Sequence, residues 1–411
     1  MFTPSWPARG SGRLSCWRMS RRPLALAGLL LLLLTGLLGC GGDSESPRGL
    51  QTPQIGSKGD ESEASEQLGF PGFATKNTTR VGGADPVADA AAVARAVYPG
   101  GAPDTNPPAV ALVDKDAWQA GIAASVLMSS PLRAPILLTD DGAMPQASAE
   151  ALRALAPTGA SSLGGVQVIR VGEAPAPEGY RSTTIEGGDP TALAAAVDRF
   201  QSAAFGRATR AVLVASGDDP AYAMPAAAYA AKSGNPVLFV SRDTIPGATF
   251  AALQAHRRPR IYLLGPEAVV SARVERALRA LGPVQRIAGA DPVRNAIAFA
   301  RYSDGAFGWG VVDPGHGLVI ANTRRPSDAA AAVPLSASGT YGPLLLVDEA
   351  ETLPLPLGQY LLDIQPGYER DPVRGVYNHA WLIGDESAIS LPVQSRIDSL
   401  LEISPVRTSQ P

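Results

Sequence analysis

Charged residues that could bind a ligand follow several short apolar segments of the sequence. Arg324 and Arg325 come after one such segment, and a guanidinium can donate two parallel hydrogen bonds to a phosphate or a carboxylate. Acidic pairs follow others: Asp114 with Asp116, Asp218 with Asp219, and Asp348 with Glu349. If the segments are strands of an α/β sheet, these residues lie at the carboxyl ends, where ligands usually bind. The alternative interpretation is that the acids are solvated caps of the helices that follow.

The sequence lacks the motifs that usually indicate catalysis. It contains no Gly-x-Ser-x-Gly, no His-Glu-x-x-His, no phosphate-binding Gly-x-x-x-x-Gly-Lys-Ser/Thr and no Gly-x-Gly-x-x-Gly after a strand. Its three histidines, His256, His316 and His379, stand in unrelated contexts. We therefore expect no catalytic residue, no cofactor and no metal site. A hydrolase with Asp313 or His316 in its site is the less favoured alternative.

The candidate residues belong to a pattern that the chain repeats three times. Its opening reads Arg-Val-Gly-Gly-Ala-Asp-Pro at 80–86, Thr-Ile-Glu-Gly-Gly-Asp-Pro at 184–190 and Arg-Ile-Ala-Gly-Ala-Asp-Pro at 286–292. A proline-led apolar segment follows each opening, at 135–138, 236–239 and 343–346, and then an apolar run that ends in glycine. A period of about a hundred residues has the size of a domain, which indicates tandem duplication of a module.

The pattern within each repeat predicts an α/β fold. The strands are continuous apolar runs, so both of their faces should be buried, and their alternation with helices predicts parallel sheets. The Asp-Pro of each opening suits a helix start, with the acid as cap and the proline in the first turn. Alanine-rich helices at 120–124, 226–231 and 329–332 are interpreted as packing faces. We predict three tandem parallel-sheet modules, at 78–180, 181–284 and 285–403.

The N-terminal region predicts export. Arg21 and Arg22 precede an apolar run that ends in Leu-Leu-Gly before Cys40, which resembles a bacterial lipoprotein processing site. We expect a signal peptide at 1–39, lipidation of Cys40 and a flexible tether at 40–77; a cleaved signal with an unrelated cysteine is the alternative. The formal net charge is −3, and residues 1–39 hold five arginines and no acid, so their removal leaves −8. That charge argues against nucleic acid as a partner.

The repeats resemble a known family. The Arg-Val/Ile-x-Gly-Ala-Asp opening, the Pro-Ile-Leu-Leu segment Pro135–Leu138, and residues 261–271 with Gly265 and Glu267 are similar to the cell wall-binding repeats of the second type, which occur in threes on bacterial surface proteins. The resemblance implies three α/β modules about a pseudo-threefold axis and non-covalent attachment to anionic wall polymers, without catalysis. The chain departs from the family where Pro86, Pro190 and Pro292 replace the usual arginine.

The resemblance places weight on Pro135, Ile136, Leu137 and Leu138, but apolar strand residues should be buried. We therefore expect the residues beyond the strands to contact the polymer; they are Thr139, Asp140, Ser241, Arg242, Arg324, Arg325, Asp348 and Glu349. The expected partners are an anionic cell-wall polymer and, through the lipid, the outer side of the cell membrane. A solute-binding or peptide-binding receptor lipoprotein is the main alternative, and a cell-wall hydrolase a lesser one.

Overall fold

The computed structural model describes residues 72–100, 105–338 and 342–406. Cys40, the predicted signal peptide and residues 40–71 of the predicted tether lie outside these residues. The strands of the described part are β1 (Gly72–Ala74), β2 (Thr78–Val81), β3 (Val110–Asp114), β4 (Ile136–Thr139), β5 (Val168–Val171), β6 (Ser182–Ile185), β7 (Ala211–Ser216), β8 (Val237–Val240), β9 (Arg260–Leu264), β10 (Val284–Ile287), β11 (Gly317–Asn322), β12 (Leu344–Val347), β13 (Gly367–Tyr368), β14 (His379–Ile383) and β15 (Ser404–Pro405).

Helices alternate with these strands, as the sequence predicts. The α-helices of the described residues are α1 (Pro86–Val97), α2 (Trp118–Ala124), α3 (Gln146–Leu155), α4 (Pro190–Phe205), α5 (Pro220–Ser233), α6 (Gly247–Ala255), α7 (Ala272–Leu281), α8 (Pro292–Arg301), α9 (Asp328–Ala331), α10 (Val333–Ala337), α11 (Leu355–Asp363) and α12 (Leu391–Leu401). Short 3-10 helices occur at Ser125–Met128, Ser161–Leu163 and Pro372–Arg374.

Three sheets of parallel strands form the framework of the described residues. Their strand orders are β4-β3-β5-β6, β8-β7-β9-β10 and β12-β11-β14-β2. The central strands are buried along almost their whole length, which is why their sequences read as continuous apolar runs. The prediction of three parallel-sheet α/β modules is confirmed. One detail differs, since Gly72–Ala74, assigned to the tether, form β1 and pair antiparallel with the open edge of β2.

The strand that opens each repeat joins the sheet of the preceding repeat. β6, at the start of the second repeat, pairs with β5, and β10, at the start of the third, pairs with β9. β2 opens the first repeat and pairs with β14 of the third, with Thr78 opposite Ala380. The exchanged strands thus link the three sheets into a closed ring. Each sheet therefore includes strands from two sequence repeats. The repeat boundaries at 78–180, 181–284 and 285–403 stay predictions from the sequence.

The repeated Gly-x-Asp-Pro sequence connects each exchanged strand to the helix that follows it. The aspartate side chains of Asp85, Asp189 and Asp291 cap α1, α4 and α8 by accepting backbone N–H bonds of the first turn. A Cβ added at Gly187 would lie 2.4 Å from the Cα of Leu193. A Cβ added at Gly289 would lie 2.2 Å from the carbonyl carbon of Arg294. The glycine therefore recurs because the helix start packs directly on its backbone.

The alanine-rich helices α2, α5 and α9 meet at the centre of the ring. Their alanines are almost fully buried, and a Cβ on Gly121 in α2 would lie 3.0 Å from the Cβ of Ala330 in α9. Each central helix also contacts the opening helix of the next repeat: α2 meets α4, α5 meets α8, and α9 meets α1. This cyclic set of contacts has the pseudo-threefold arrangement that the family resemblance implied.

Candidate functional site

Polar loops follow the first two strands of each sheet, and we call them the strand-end loops. They come after β3 and β4, after β7 and β8, and after β11 and β12. Ligands of parallel α/β sheets generally bind outside these ends of the strands. Most of the residues predicted to contact a ligand are exposed or partly exposed in these loops; they are Asp140, Ser241, Arg242, Arg324, Asp348 and Glu349. Their role in binding stays a prediction.

In the first sheet, Asp114 joins the two strand-end loops. Its Oδ1 accepts a hydrogen bond from the backbone N–H of Asp116 at 2.9 Å, and its Oδ2 accepts one from the N–H of Asp141 at 2.8 Å. The Nζ of Lys115 lies 2.7 Å from Asp116 Oδ2 and 3.2 Å from Asp140 Oδ1. Hydrogen bonds with these two carboxylates raise the pKa of Lys115, so the ammonium is charged at neutral pH. The acids of this loop pair thus fix its shape.

In the second sheet, Asp218 has the same joining role. Its Oδ2 accepts from the backbone N–H of Arg242 at 2.9 Å, and the Ser241 hydroxyl lies 3.3 Å from its Oδ1. The Arg242 Nε donates to the carbonyl of Ala268 at 3.0 Å. Because the Arg242 side chain remains 61% exposed, its guanidinium can reach a ligand in solvent while this contact orients it.

In the third sheet, Arg324 forms an ion pair with Glu349 across the two strand-end loops. The Oδ1 of Asn322, at the end of β11, accepts from the backbone N–H of Arg324 at 2.9 Å and so fixes the start of the loop. Both members of the ion pair are exposed. An exposed pair contributes little to stability, so the Arg324 guanidinium can exchange Glu349 for an anionic ligand at small cost.

Two residues expected to face a ligand do not do so freely. The expectation that Thr139 is exposed is wrong, since it is 0% exposed at the last position of β4, where the strand is still covered on both faces. The Arg325 side chain is only 15% exposed and pairs with Asp89 and Asp328. Sequence position alone did not separate Arg325 from Arg324, because the turn after β11 directs one inward and the other outward.

The Arg325 cluster lies where the third repeat meets the first. Arg325 Nε is 3.0 Å from Asp328 Oδ2, an ion pair without hydrogen-bond geometry, and both carboxyl side chains of the cluster are fully buried. Burial and the neighbouring Asp328 carboxylate raise the pKa of Asp89 to about 9, although Arg325 opposes the shift. Burial also raises the pKa of Asp328. The cluster therefore holds a proton at neutral pH and serves the joint between repeats.

The Pro135–Leu138 segment is buried, as predicted. Ile136, Leu137 and Leu138 have essentially no exposed surface, because β4 packs against the helices α1, α3 and α9. These side chains can affect a ligand only by holding the strand-end loops in place. Direct contact has to come from the residues after the strand.

The extra sequence of the third repeat, between α8 and β11, is mostly structural. Phe307 is buried and stacks on the ring of Tyr262 with centroids 3.4 Å apart, and Trp309 lies edge-on to Tyr229. His316 Nε2 lies 3.1 Å from Asp313 Oδ1 in an exposed surface pair. In the described residues, no group of three or more His, Cys, Asp or Glu side chains is placed to hold a metal ion.

Sequence reasoning missed a polar cavity at the amino ends of the strands, between the first and second repeats. Its walls include Ser129, Ser130, Gln201 and Lys232. The residues come from separate elements and none belongs to the repeated motifs, so no pattern pointed to them. The one available signal was composition, since Lys232 is one of only four lysines in the sequence.

The fold and the strand-end loops define a class: α/β proteins built from three sequence repeats closed about one axis. Residues 184–275 and 286–394, just under half of the chain, match the model of cell wall binding domain 2 (CWB2). This match supports a cell-wall-associated surface protein of the cell envelope. No helix in the described part of the chain combines the length and apolar character needed to cross a bilayer. No curated protein sequence matches the chain.

Two solved structures from Clostridium difficile share the fold. Cwp6 is 17% identical with a TM-score of 0.60, and the match covers 78% of this chain and 48% of Cwp6. Cwp8 is 20% identical with a TM-score of 0.60, and the match covers 83% of this chain and 53% of Cwp8. The chain thus spans about half the length of these proteins, and similarity at this level of identity shows the fold alone.

Proposed function

We propose that this protein is a lipid-anchored, extracytoplasmic binding protein that attaches non-covalently to an anionic glycopolymer of the cell wall and catalyses no reaction. The match of two segments to cell wall binding domain 2 carries the proposal. Lipidation of Cys40 would hold the protein at the membrane, and the segment before β1 would tether the ring to it. The ring would then meet the wall polymer with its strand-end loops.

The repeated architecture favours a repetitive ligand. Equivalent strand-end loops occur in all three sheets, so consecutive units of one polymer can occupy them in turn. Each additional contact is then intramolecular, and affinity grows through effective concentration without one deep pocket. Arg242 and Arg324 are the exposed cations of these loops that can donate to anionic groups.

Co-sedimentation of the purified protein with purified cell walls tests this proposal. We expect binding that weakens as salt increases, because exposed charge pairs are screened. The double variant Arg242→Ser/Arg324→Ser should bind several-fold more weakly and with a flatter salt dependence. The matched control Arg153→Ser/Arg276→Ser removes two exposed arginines from helices α3 and α7 and should bind like the wild type.

Absence of wall binding by the wild type would overturn the proposed function. Equal loss of wall binding in both double variants would mean that the net charge of the protein, and not the strand-end loops, determines binding. Incubation with wall fragments should leave them uncleaved. Reproducible turnover that Asp313→Asn or His316→Gln abolishes would instead favour a hydrolase.

The lipid anchor has its own test at Cys40. In Cys40→Ser the thiol that would accept the lipid is missing, so the protein should leave the membrane fraction or remain unprocessed. Processed Cys40→Ser protein that stays in the membrane fraction would contradict the anchor.

A further inference from the structure

A cavity of about 130 Å³ opens between the first and second repeats, and we call it the amino-end cavity. It lies beside Thr209 and Pro236, which precede β7 and β8, so it is at the opposite strand ends from the strand-end loops. A single water needs on the order of 10–15 Å³ on the same measure. The cavity therefore has room for a small polar ligand.

Gln201 fixes one wall of this cavity. The side chain is 4% exposed, and its Nε2 donates to Ser129 Oγ at 3.0 Å and to the Ser130 carbonyl at 3.2 Å. A carbonyl can only accept, so the amide orientation is fixed and Oε1 points away from it. Among the described residues no donor reaches this Oε1. The Oε1 itself is fully buried and lies out of reach of a ligand, so the role of Gln201 is to hold the wall that carries Ser129 and Ser130.

The cavity has a positive balance of charge. Its one carboxylate, Asp198, lies 2.8 Å from His256 Nε2, while His256 Nδ1 lies 2.9 Å from the Thr209 carbonyl oxygen. Burial alone would lower the pKa of His256, but the hydrogen bond and charge of Asp198 raise it. Lys232 has no carboxylate within ion-pair distance in the described residues, and its Nζ lies 4.4 Å from the Trp309 ring centroid. An anionic ligand would supply the missing counter-charge.

An aromatic ring completes the cavity. Phe205 lines it and is 46% exposed, although large aromatic side chains are usually buried. The Arg207 guanidinium lies 5.4 Å from the centre of the ring. A cation and an exposed aromatic ring are together groups that hold a charged sugar, whose C–H face packs on the ring.

The corresponding place between the second and third repeats is closed. There Phe307 lies 4.3 Å from the Tyr229 ring, centroid to centroid, and Trp309 lies 5.4 Å from it. The extra sequence of the third repeat thus fills this joint, whereas the joint between the first two repeats keeps its polar cavity. The amino-end cavity is therefore not one of three equivalent sites.

We infer that the amino-end cavity binds one sugar unit that carries an anionic substituent, with the anion near Lys232 and the ring face on Phe205. This inference rests on the proposed function and adds a subsite to it, at which the unit would belong to the wall polymer. A soluble sugar phosphate presents the same chemistry.

Two variants at exposed positions test the subsite without disturbing the core, Phe205→Ser and Lys232→Gln. Their matched controls are Phe250→Ser, which removes an aromatic ring of 43% exposure from α6, and Arg276→Gln. We expect each cavity variant to bind purified walls about tenfold more weakly, a change of about 1.4 kcal/mol, and each control to bind like the wild type. Saturation-transfer NMR with glucose 1-phosphate should show transfer to the sugar protons that both cavity variants lose.

The possible outcomes separate the subsite from the proposed function. Wall binding by the wild type that both cavity variants retain in full would overturn the subsite and leave the proposed function standing. No wall binding by the wild type, together with glucose 1-phosphate transfer that the cavity variants lose, would overturn the proposed function and assign the cavity to a soluble sugar phosphate. Inorganic phosphate that displaces glucose 1-phosphate at equal concentration would show an anion site and overturn the sugar assignment.

Discussion

The contact between the third and the first repeat, which we call the closing joint, differs from the contact between the first and second repeats, which we call the first joint. At the closing joint, the Arg80 guanidinium is buried and donates to the carbonyls of Gly384 at 2.9 Å, Asp385 at 2.7 Å and Ile389 at 2.5 Å. At the first joint, threonine occupies the equivalent position of β6, at Thr184. One joint is held by a buried cation and several acceptors, and the other is not.

Chain connectivity explains why the joints can differ. At the first joint, residues in contact are 14 positions apart in the sequence, whereas Arg80 and Gly384 are 304 apart. The entropy cost of closing a loop rises by about 0.6 kcal/mol with each doubling of its length, so the closing joint costs about 3 kcal/mol more to form. Directional contacts of a buried guanidinium offset this cost. The closing joint, whose two sides are far apart in the sequence, therefore needs the stronger polar contacts.

A second position in the joints shows the same contrast. Four residues after each capping aspartate stand Asp89, Leu193 and Asn295. Asp89 accepts from the Gly83 N–H at 2.6 Å and pairs with Arg325, while the Asn295 Oδ1 accepts from the Gly289 N–H at 3.2 Å. The closing joint thus carries a buried carboxyl next to an arginine where the other two carry an apolar side chain and an amide.

The largest expected effect is that of Arg80→Ala. Its buried acceptors would lose their donors at about 1–3 kcal/mol each, so we expect the free energy of unfolding to fall by about 4 kcal/mol or more in urea titrations. Arg286→Ala removes similar contacts at the second joint, to the Gly265 and Val270 carbonyls. Because β10 stays next to β9 through the short connection, this variant should keep its strand protected from proteolysis, whereas Arg80→Ala should expose the segment around β2. Equal proteolysis of both strands would contradict the connectivity argument.

Asn295→Asp should have the next largest effect. It places a carboxylate at a fully buried position that has no equivalent of Arg325, and it removes the donor to the Tyr222 carbonyl. An uncompensated buried charge costs about 3 kcal/mol or more, so we expect a loss of that order at neutral pH. Unfolding followed at several pH values should show a smaller loss in acid, where the carboxyl is protonated. A loss that does not change with pH would mean that the new carboxylate reaches solvent.

Asp89→Asn should have a smaller effect of opposite sign. A carboxyl with a raised folded-state pKa stabilises fully below its ordinary pKa of about 4, and this stability is lost as the pH rises toward the folded value. The amide cannot ionise, so the variant should match the wild type near pH 4 and become more stable than the wild type as the pH rises toward 9. Parallel curves of unfolding free energy against pH would show that Asp89 ionises in the folded protein at its ordinary pKa.

The smallest expected effect separates two neighbouring arginines. Arg324→Ser removes one member of an exposed ion pair and should change the free energy of unfolding by less than about 0.5 kcal/mol. Arg325→Ser leaves two buried carboxyls without their cation and should cost several times more. Thermal unfolding of the two single variants is sufficient, and similar midpoints would mean that the Arg325 cluster contributes little.

The sequence predicts the sheets well because periodicity and burial act locally. Continuous apolar runs place β4 and β8 within a residue or two of their observed bounds, and the Asp-Pro caps place the starts of α1 and α4. The exchange of β2 to the end of the chain was not predictable, since pairing over 304 residues leaves no local pattern.

The candidate site was predictable only in part. The strand ends followed from the fold, which places Arg242 and Arg324 at exposed positions. The burial of Thr139 and the inward turn of Arg325 depend on the next repeat, and the amino-end cavity depends on the packing of α4 against the residues after the first central helix. None of these can be read from a single segment.

The exchange of β2 also sets the order in which the ring can assemble when the chain emerges from its N-terminus. The first sheet has all its strands once residue 185 is available, and the second once residue 287 is. The third requires residue 383 together with β2, a strand that emerges before any of the others in the three parallel sheets. The edge of β2 that pairs with β14 therefore stays unpaired while the first two sheets form, and β2 completes the third sheet only when the last repeat has emerged.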